Sequence, residues 1–200
     1  MRKIGIMGGT FDPIHLAHLA MAKCAKEQKE LDQIWFMPSK IPPHKREKKI
    51  SSEEVRSILV KLAIQNEKDF IFSDFELLRE EITYTARTLE LLQKQFPEDL
   101  FYFILGGDSL FQFEHWYQPE KIMEKAVILA AGRDGVTKRE LQKQADMLSQ
   151  KFHGKVELFD MPEMKISSSQ IREKIAHGEP VASYLPDKVY EYIMSHHCYQ

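Results

Sequence analysis

The residues best suited to chemistry stand together in Gly8-Gly9-Thr10-Phe11-Asp12-Pro13-Ile14-His15-Leu16-Ala17-His18. A glycine pair lets the backbone pass close to a ligand. Asp12 followed by Pro13 reads as a helix start, with a capping acid and a residue whose φ is preset for the first turn. A helix beginning there would aim its free N–H groups and partial positive charge outward, which makes an anion site. His15 and His18 are three apart and share a face of the first turns, so both can meet one phosphate. Taken alone, His-x-x-His could equally be half of a metal site.

A second block has the same character. Ser167-Ser168-Ser169 followed by Ile171-Arg172 offers a capping hydroxyl, free N–H groups and a guanidinium four residues from Ser168 on one helix face. That is a cradle for phosphate oxygens, or else a plain cap beside a solvated arginine. Lys40, His44, Lys45, Arg46, Lys48 and Lys49 form a cationic run, of which Lys48 and Lys49 read as surface.

These groups need elements to hold them. Short apolar runs predict strands at Lys3–Met7, Ile34–Met37, Phe70–Phe72, Phe101–Leu105, Ala126–Ala130 and Val156–Phe159. Amphipathic stretches predict helices near His15–Gln28, Ser52–Asn66, Thr85–Phe96, Thr137–Phe152, Ser168–His177 and Asp187–His196. The alternation implies right-handed βαβ units: an α/β fold with an open parallel sheet and helices on both faces. Pro38–Ser52 is left as a long loop after the second strand, of a length that is usually functional. Residues 1–200 read as a single domain, with about 167–200 as a small C-terminal helical cap. In such sheets the ligand crevice lies at the carboxyl ends of the strands, where strand order reverses. Both familiar phosphate motifs are missing. There is no G-x-x-x-x-G-K-[ST], and no G-x-G-x-x-G with an acid after the second strand, which ends in Met37-Pro38-Ser39.

Composition narrows the classes. A net charge of −2 over 200 residues argues against a polybasic nucleic-acid coat. Apolar residues at 43% and charged residues at 29% suit a globular chain. No apolar run approaches the roughly 20 residues of a bilayer span, and the N-terminus lacks a signal-peptide core. Two cysteines, Cys24 and Cys198, suit neither a disulfide scaffold nor a zinc site, so a reduced, cytoplasmic protein is expected. His196, His197 and Cys198 lack a fourth ligand and read as incidental.

Gly8-Gly9-Thr10-Phe11-Asp12-Pro13 with His15 and His18 resembles the signature of the nucleotidyltransferase superfamily. Within it the chain is similar to the bacterial nicotinate mononucleotide adenylyltransferases. The supporting blocks are Ile34-Trp35-Phe36-Met37-Pro38, Pro42-Pro43-His44-Lys45, Tyr84-Thr85, Gly106-Gly107-Asp108, Trp116-Tyr117, Ile166-Ser167-Ser168-Ser169-Gln170-Ile171-Arg172 and Leu185-Pro186-Asp187 with Val189. Two positions depart from the pattern: Ala17 stands where glycine is usual, and Ser39 where asparagine is frequent.

The resemblance implies a Rossmann-like fold and the transfer of AMP from ATP to nicotinate mononucleotide, with pyrophosphate released. His15 and His18 would be catalytic, with His18 at the transferring α-phosphoryl. Gly8, Gly9, Thr10, Phe11, Gly107, Arg133, Ser167, Ser168 and Arg172 would bind ATP. Lys45, Thr85, Asp108, Trp116 and Tyr117 would bind nicotinate mononucleotide: Trp116 by stacking, Thr85 and Tyr117 through N–H groups on the carboxylate, Asp108 on the ribose. Mg²⁺ would be held mainly by ATP phosphates, and no protein ligand is named for it. No nucleic acid or membrane is implied, and a homo-oligomer is left open. The rival readings are a related transferase with another phosphate acceptor, such as phosphopantetheine or a polyol phosphate, and a non-catalytic nucleotide-binding module.

Overall fold

Six apolar runs become six strands of one parallel sheet in the computed structural model, which describes residues 1–40, 50–79, 83–132 and 137–200. In chain order they are β1 (Lys3–Gly9), β2 (Gln33–Pro38), β3 (Phe70–Phe72), β4 (Leu100–Gly106), β5 (Ala126–Ala131) and β6 (Val156–Phe159). Their order across the sheet is β3-β2-β1-β4-β5-β6. The helices are α1 (Leu16–Lys29), α2 (Glu53–Ile64), α3 (Thr85–Gln95), α4 (Gly107–Gln112), α5 (Pro119–Lys125), α6 (Lys138–Phe152), α7 (Ser168–Ala176) and α8 (Asp187–Ser195). The strands match the sequence expectation to within two residues at either end. The short helix α5 was not expected, because seven residues hold too few turns to show a period.

The strands are apolar on both faces because helices cover both, as buried parallel sheets require. On one side Met7, Phe36, Ile104 and Leu129 pack with α1, α2, α7 and α8. On the other, Ile6, Met37, Phe103 and Ile128 pack with α3, α4, α5 and α6. Gly5 marks a close approach: a Cβ there would stand 2.5 Å from Ile34 Cδ1 and 2.9 Å from Leu31 Cδ1.

Strand order reverses between β1 and β4, and the register shows where the sheet opens. The two strands pair from Lys3↔Leu100 to Ile6↔Phe103. Beyond that point β1 continues only with β2, as far as Gly9↔Pro38. β4 continues only with β5, as far as Gly106↔Ala131. The carboxyl ends therefore part, which is the ligand crevice of an open α/β sheet. No helix among the described residues is long and apolar enough to cross a membrane.

Candidate active site

A cleft of about 360 Å³ occupies this parting. Its floor is Met7 and Gly8 from β1 and Phe103 to Gly106 from β4. One wall is His15, Ala17 and His18 at the start of α1. A second is Ile166 to Ser169 at the start of α7. The third is Asp108, Ser109 and Trp116. The two helix starts singled out from sequence thus face one space, although about 150 residues separate them along the chain.

The first of these starts is not built as expected. α1 begins at Leu16 with His15 as its N-cap, so Asp12 and Pro13 lie before the helix instead of opening it. The Asp12 carboxylate is occupied elsewhere. It accepts from the Tyr199 hydroxyl at 2.8 Å and from the Ser51 amide at 3.3 Å. His15 and His18 close the helix end reciprocally. His18 N–H donates to His15 O at 3.0 Å, and His15 N–H donates to His18 Nδ1 at 3.2 Å. A neutral His18 ring whose Nδ1 accepts must carry its proton on Nε2, where it can donate. The two rings stack at 3.8 Å, with His15 buried and His18 partly exposed.

Of the two places open to Phe11, over a nucleotide or under the loop, its side chain takes the second. It is 2% exposed and packs beneath the loop. A Cβ on Gly9 would lie 3.2 Å from the Phe11 ring, and that ring meets the edge of His18 at 5.2 Å. Phe11 also holds φ 52, a left-handed conformation that costs a side-chain-bearing residue about 1–2 kcal/mol.

The second helix start is braced on the first loop. Ser167 caps α7, its hydroxyl accepting from Gln170 N–H at 3.2 Å. Ser168 Oγ donates to Pro13 O at 2.9 Å, and Arg172 Nη1 donates to Asp12 O at 2.6 Å. Ser168 still lines the cleft. Arg172 does not: its guanidinium spans to Ser169 Oγ at 3.3 Å and ties α7 to the loop. Gly107 is buried behind the floor, and its neighbours Gly106 and Asp108 face the cleft in its place.

At the acceptor end Trp116 meets both readings open to it. It lines the cleft, and its ring also packs on Phe103 at 5.9 Å and Phe113 at 5.4 Å. The Tyr117 ring packs at a tilt on Tyr84, centroids 4.4 Å apart, and Tyr84 is the N-cap that precedes Thr85, the first residue of α3. Neither Thr85 nor Tyr117 lines the cleft itself. Lys45 and Arg133 fall outside the described residues.

One residue that sequence reasoning passed over holds the loop. Arg56, 1% exposed, donates through Nη1 to Thr10 O at 2.8 Å and to Ser39 O at 2.9 Å, and through Nε to Ser51 O at 3.1 Å. Burial pushes its guanidinium below the ordinary arginine value, while the nearby Asp12 carboxylate works in the other direction. A signal was present. Arg56 falls on the same α2 face as Leu59, Val60 and Ile64, where a solvated arginine has no place. Ser39 has its own bond here, donating from Oγ to Gly9 O at 3.3 Å.

Comparison with known proteins now decides the family. The cytidylyltransferase-like family model matches residues 6–174. A relative from Lachnoclostridium phytofermentans, named probable nicotinate-nucleotide adenylyltransferase, is 46% identical over 100% of both chains. A relative of the same name from Carboxydothermus hydrogenoformans is 40% identical over 99% of this chain and 98% of its own. The chain belongs to the nicotinate-nucleotide adenylyltransferase family. The fold recurs in a solved structure of low sequence identity. The nicotinic acid mononucleotide adenylyltransferase of Plasmodium falciparum, solved with NaAD, superimposes with a TM-score of 0.82 at 22% identity, covering 100% of this chain and 98% of that one.

Proposed function

We propose that this chain transfers the adenylyl group of ATP to nicotinate mononucleotide. An oxygen of the acceptor's 5′-phosphate attacks the α-phosphorus. The bond from that phosphorus to the α,β-bridging oxygen breaks, and nicotinate adenine dinucleotide and pyrophosphate leave. The observation that carries the reading is the meeting of two helix N-termini, each with its own polar side chains, over the parting of β1 and β4. Family membership supports the choice of acceptor.

The nucleophile is already an anion at neutral pH, because a phosphate monoester has its second pKa near 6. No general base is then required, and the protein's work is alignment and charge stabilisation of an in-line displacement. The groups on the walls suit that work. His18 Nε2–H donates to the α-phosphoryl oxygens, and His15 stands beside it. Gly8, Gly9 and Thr10 bring backbone to the same group. The N–H groups of Ser167, Ser168 and Ser169 take the β- and γ-phosphates at the head of α7. Across the cleft Trp116 stacks on the pyridine ring, Asp108 accepts from ribose hydroxyls, and Thr85 with Tyr117 receives the nicotinate carboxylate at the far end.

In this reading Mg²⁺ would be held mainly by the ATP phosphates and would lower their charge. The described residues hold no group of three or more His, Cys, Asp or Glu that could hold a metal ion. An ion kept by substrate phosphates and water needs no such group, and the imidazole, hydroxyl and amide donors on the walls address phosphate oxygens. One domain of residues 1–200, closed by the helices of 167–200 and working in the reduced cytoplasm, suffices for the reaction. The test is pyrophosphate release by the purified chain with ATP, Mg²⁺ and either nicotinate or nicotinamide mononucleotide. Turnover with the acid supports the proposal, and its absence refutes it.

A further inference from the structure

The last residues of the chain return to the active loop. α8 lies against α2 and ends in a turn in which Cys198 N–H donates to Ile193 O at 3.0 Å and His197 N–H to Met194 O at 3.4 Å. His197 holds φ 51, so this is a Schellman ending made without glycine. The turn reverses the chain and delivers Tyr199, itself at φ 67, to Asp12. Two left-handed residues within three positions carry strain, which persists only where the surroundings over-determine the conformation.

Asp12 is where the parts of the site meet. It is 3% exposed. Its Oδ1 accepts from Tyr199 OH at 2.8 Å, its Oδ2 from the Ser51 amide at 3.3 Å, and its backbone carbonyl from Arg172 Nη1 at 2.6 Å. Three residues later the chain reaches His15, the N-cap of α1 and a wall of the cleft. Arg56 and Arg172 grip only backbone carbonyls of this loop. The Tyr199 hydroxyl holds the Asp12 side chain itself.

We infer that Tyr199 is a positioning residue for adenylyl transfer: its hydroxyl sets Asp12, and through it the path from Thr10 to His15 that places the start of α1 against the phosphates. The inference rests on the transfer reading above. Burial, and after it the Asp12 carboxylate, hold the phenol well above its ordinary value, so it remains a donor across the neutral range. Because the loop keeps its arginine ties, loss of this hydroxyl misplaces the loop without unfolding the chain.

The test is Tyr199→Phe in the full chain, which keeps the ring and removes one oxygen, read by two independent measurements. Amide hydrogen exchange without substrates should become faster over residues 10–15 and stay unchanged in α2 and α8. kcat should fall about tenfold, in line with the rate cost of a small misalignment, with both KM values within about twofold. The combination with Asp12→Ala should be no slower than the slower single variant, since the two act through one bond. Exchange and kcat both at wild-type values would overturn the inference. So would losses that multiply in the double variant, or exchange that quickens uniformly along the chain with kcat recovering on cooling. Faster loop exchange in a protein whose wild type shows no turnover would keep the latch and reject the transfer reading. Normal wild-type turnover with an indistinguishable variant would do the reverse.

Discussion

Replacing Arg56 with methionine tests how the active loop is held. Methionine keeps the apolar stem and much of the volume but removes every donor. Three hydrogen bonds to carbonyls are lost, those to Thr10 O, Ser39 O and Ser51 O, and Asp12 loses a nearby positive charge. Bonds to a charged donor contribute about 1.5–3 kcal/mol each, net of water. They are not additive, and the variant regains the desolvation cost of burying a guanidinium. Breaking a buried charged network by removing one partner typically costs about 3–5 kcal/mol, and we take the lower half of that range because Thr10, Ser39 and Ser51 are only partly buried. For a chain of this size each kcal/mol shifts Tm by about 2–4 °C, so a fall on the order of 10 °C is expected in a thermal melt. Arg56→Lys separates charge from shape. An ammonium restores the charge but cannot reproduce the planar fork that spans three carbonyls, so it should recover about half of the loss. A Tm within about 2 °C of wild type for Arg56→Met would refute the reasoning. Full recovery by lysine would show that charge alone, and not the fork, holds the loop.

Three further outcomes follow from the site and the fold. His18→Ala should lower kcat by about 10²–10³-fold, the usual cost of one donor to a developing charge, with the thermal melt shifted by no more than a few degrees; near-normal turnover would remove His18 from its role. Trp116→Leu keeps an apolar contact to Phe103 and Phe113 but abolishes ring stacking, and should raise KM for nicotinate mononucleotide about tenfold while leaving KM for ATP unchanged; equal shifts in both would place the residue elsewhere. Hydrogen bonds from the Arg2 side chain, and then from its backbone amide, hold the Asp99 carboxyl below the ordinary carboxylate range. A depressed folded value stabilises above the unfolded value near 4 and is lost as pH falls below it. Asp99→Asn should therefore be less stable than wild type in urea at pH 7, with the gap closing as pH is taken well below 4; a constant gap would contradict the linkage.

What could be read from the sequence was local. Ile4, Ile6 and Met7 in β1, or Phe101, Phe103 and Leu105 in β4, announce buried strands because both faces of a parallel sheet are covered and each run is short. The sequence placed a crevice at the carboxyl ends of the strands, and Gly8, His15, His18, Asp108 and Trp116 were picked out beside those ends; the strand order that brings them around one space is visible only in the assembled sheet. α1 begins where its periodicity placed it, but the reading of Asp12-Pro13 as its cap failed for a related reason. Asp-Pro is a capping signal only if the acid has nothing better to bind, and Asp12 has Tyr199, a partner 187 positions away. No periodicity reports a contact of that kind.

The same distinction separates the residues on the cleft walls from those that brace them. His15, His18, Ser168, Asp108 and Trp116 present polar or aromatic groups at strand and helix ends, where chemistry is expected from position alone. Arg56, Arg172 and Tyr199 each bind the loop before α1, at the Thr10 carbonyl, the Asp12 carbonyl and the Asp12 carboxylate, which lie 46, 160 and 187 residues away. Such contacts close long stretches of chain and so depend on the assembled fold. Yet each left a mark that physical reasoning can use: an arginine on an apolar helix face, a guanidinium one turn after a serine cap, and a tyrosine held near the C-terminus behind a helix ending without glycine. A charge or hydroxyl whose local setting cannot satisfy it must find a distant partner or pay desolvation. In this fold, where the strands part between β1 and β4, the loop that leads into His15 and the start of α1 is the partner that all three find.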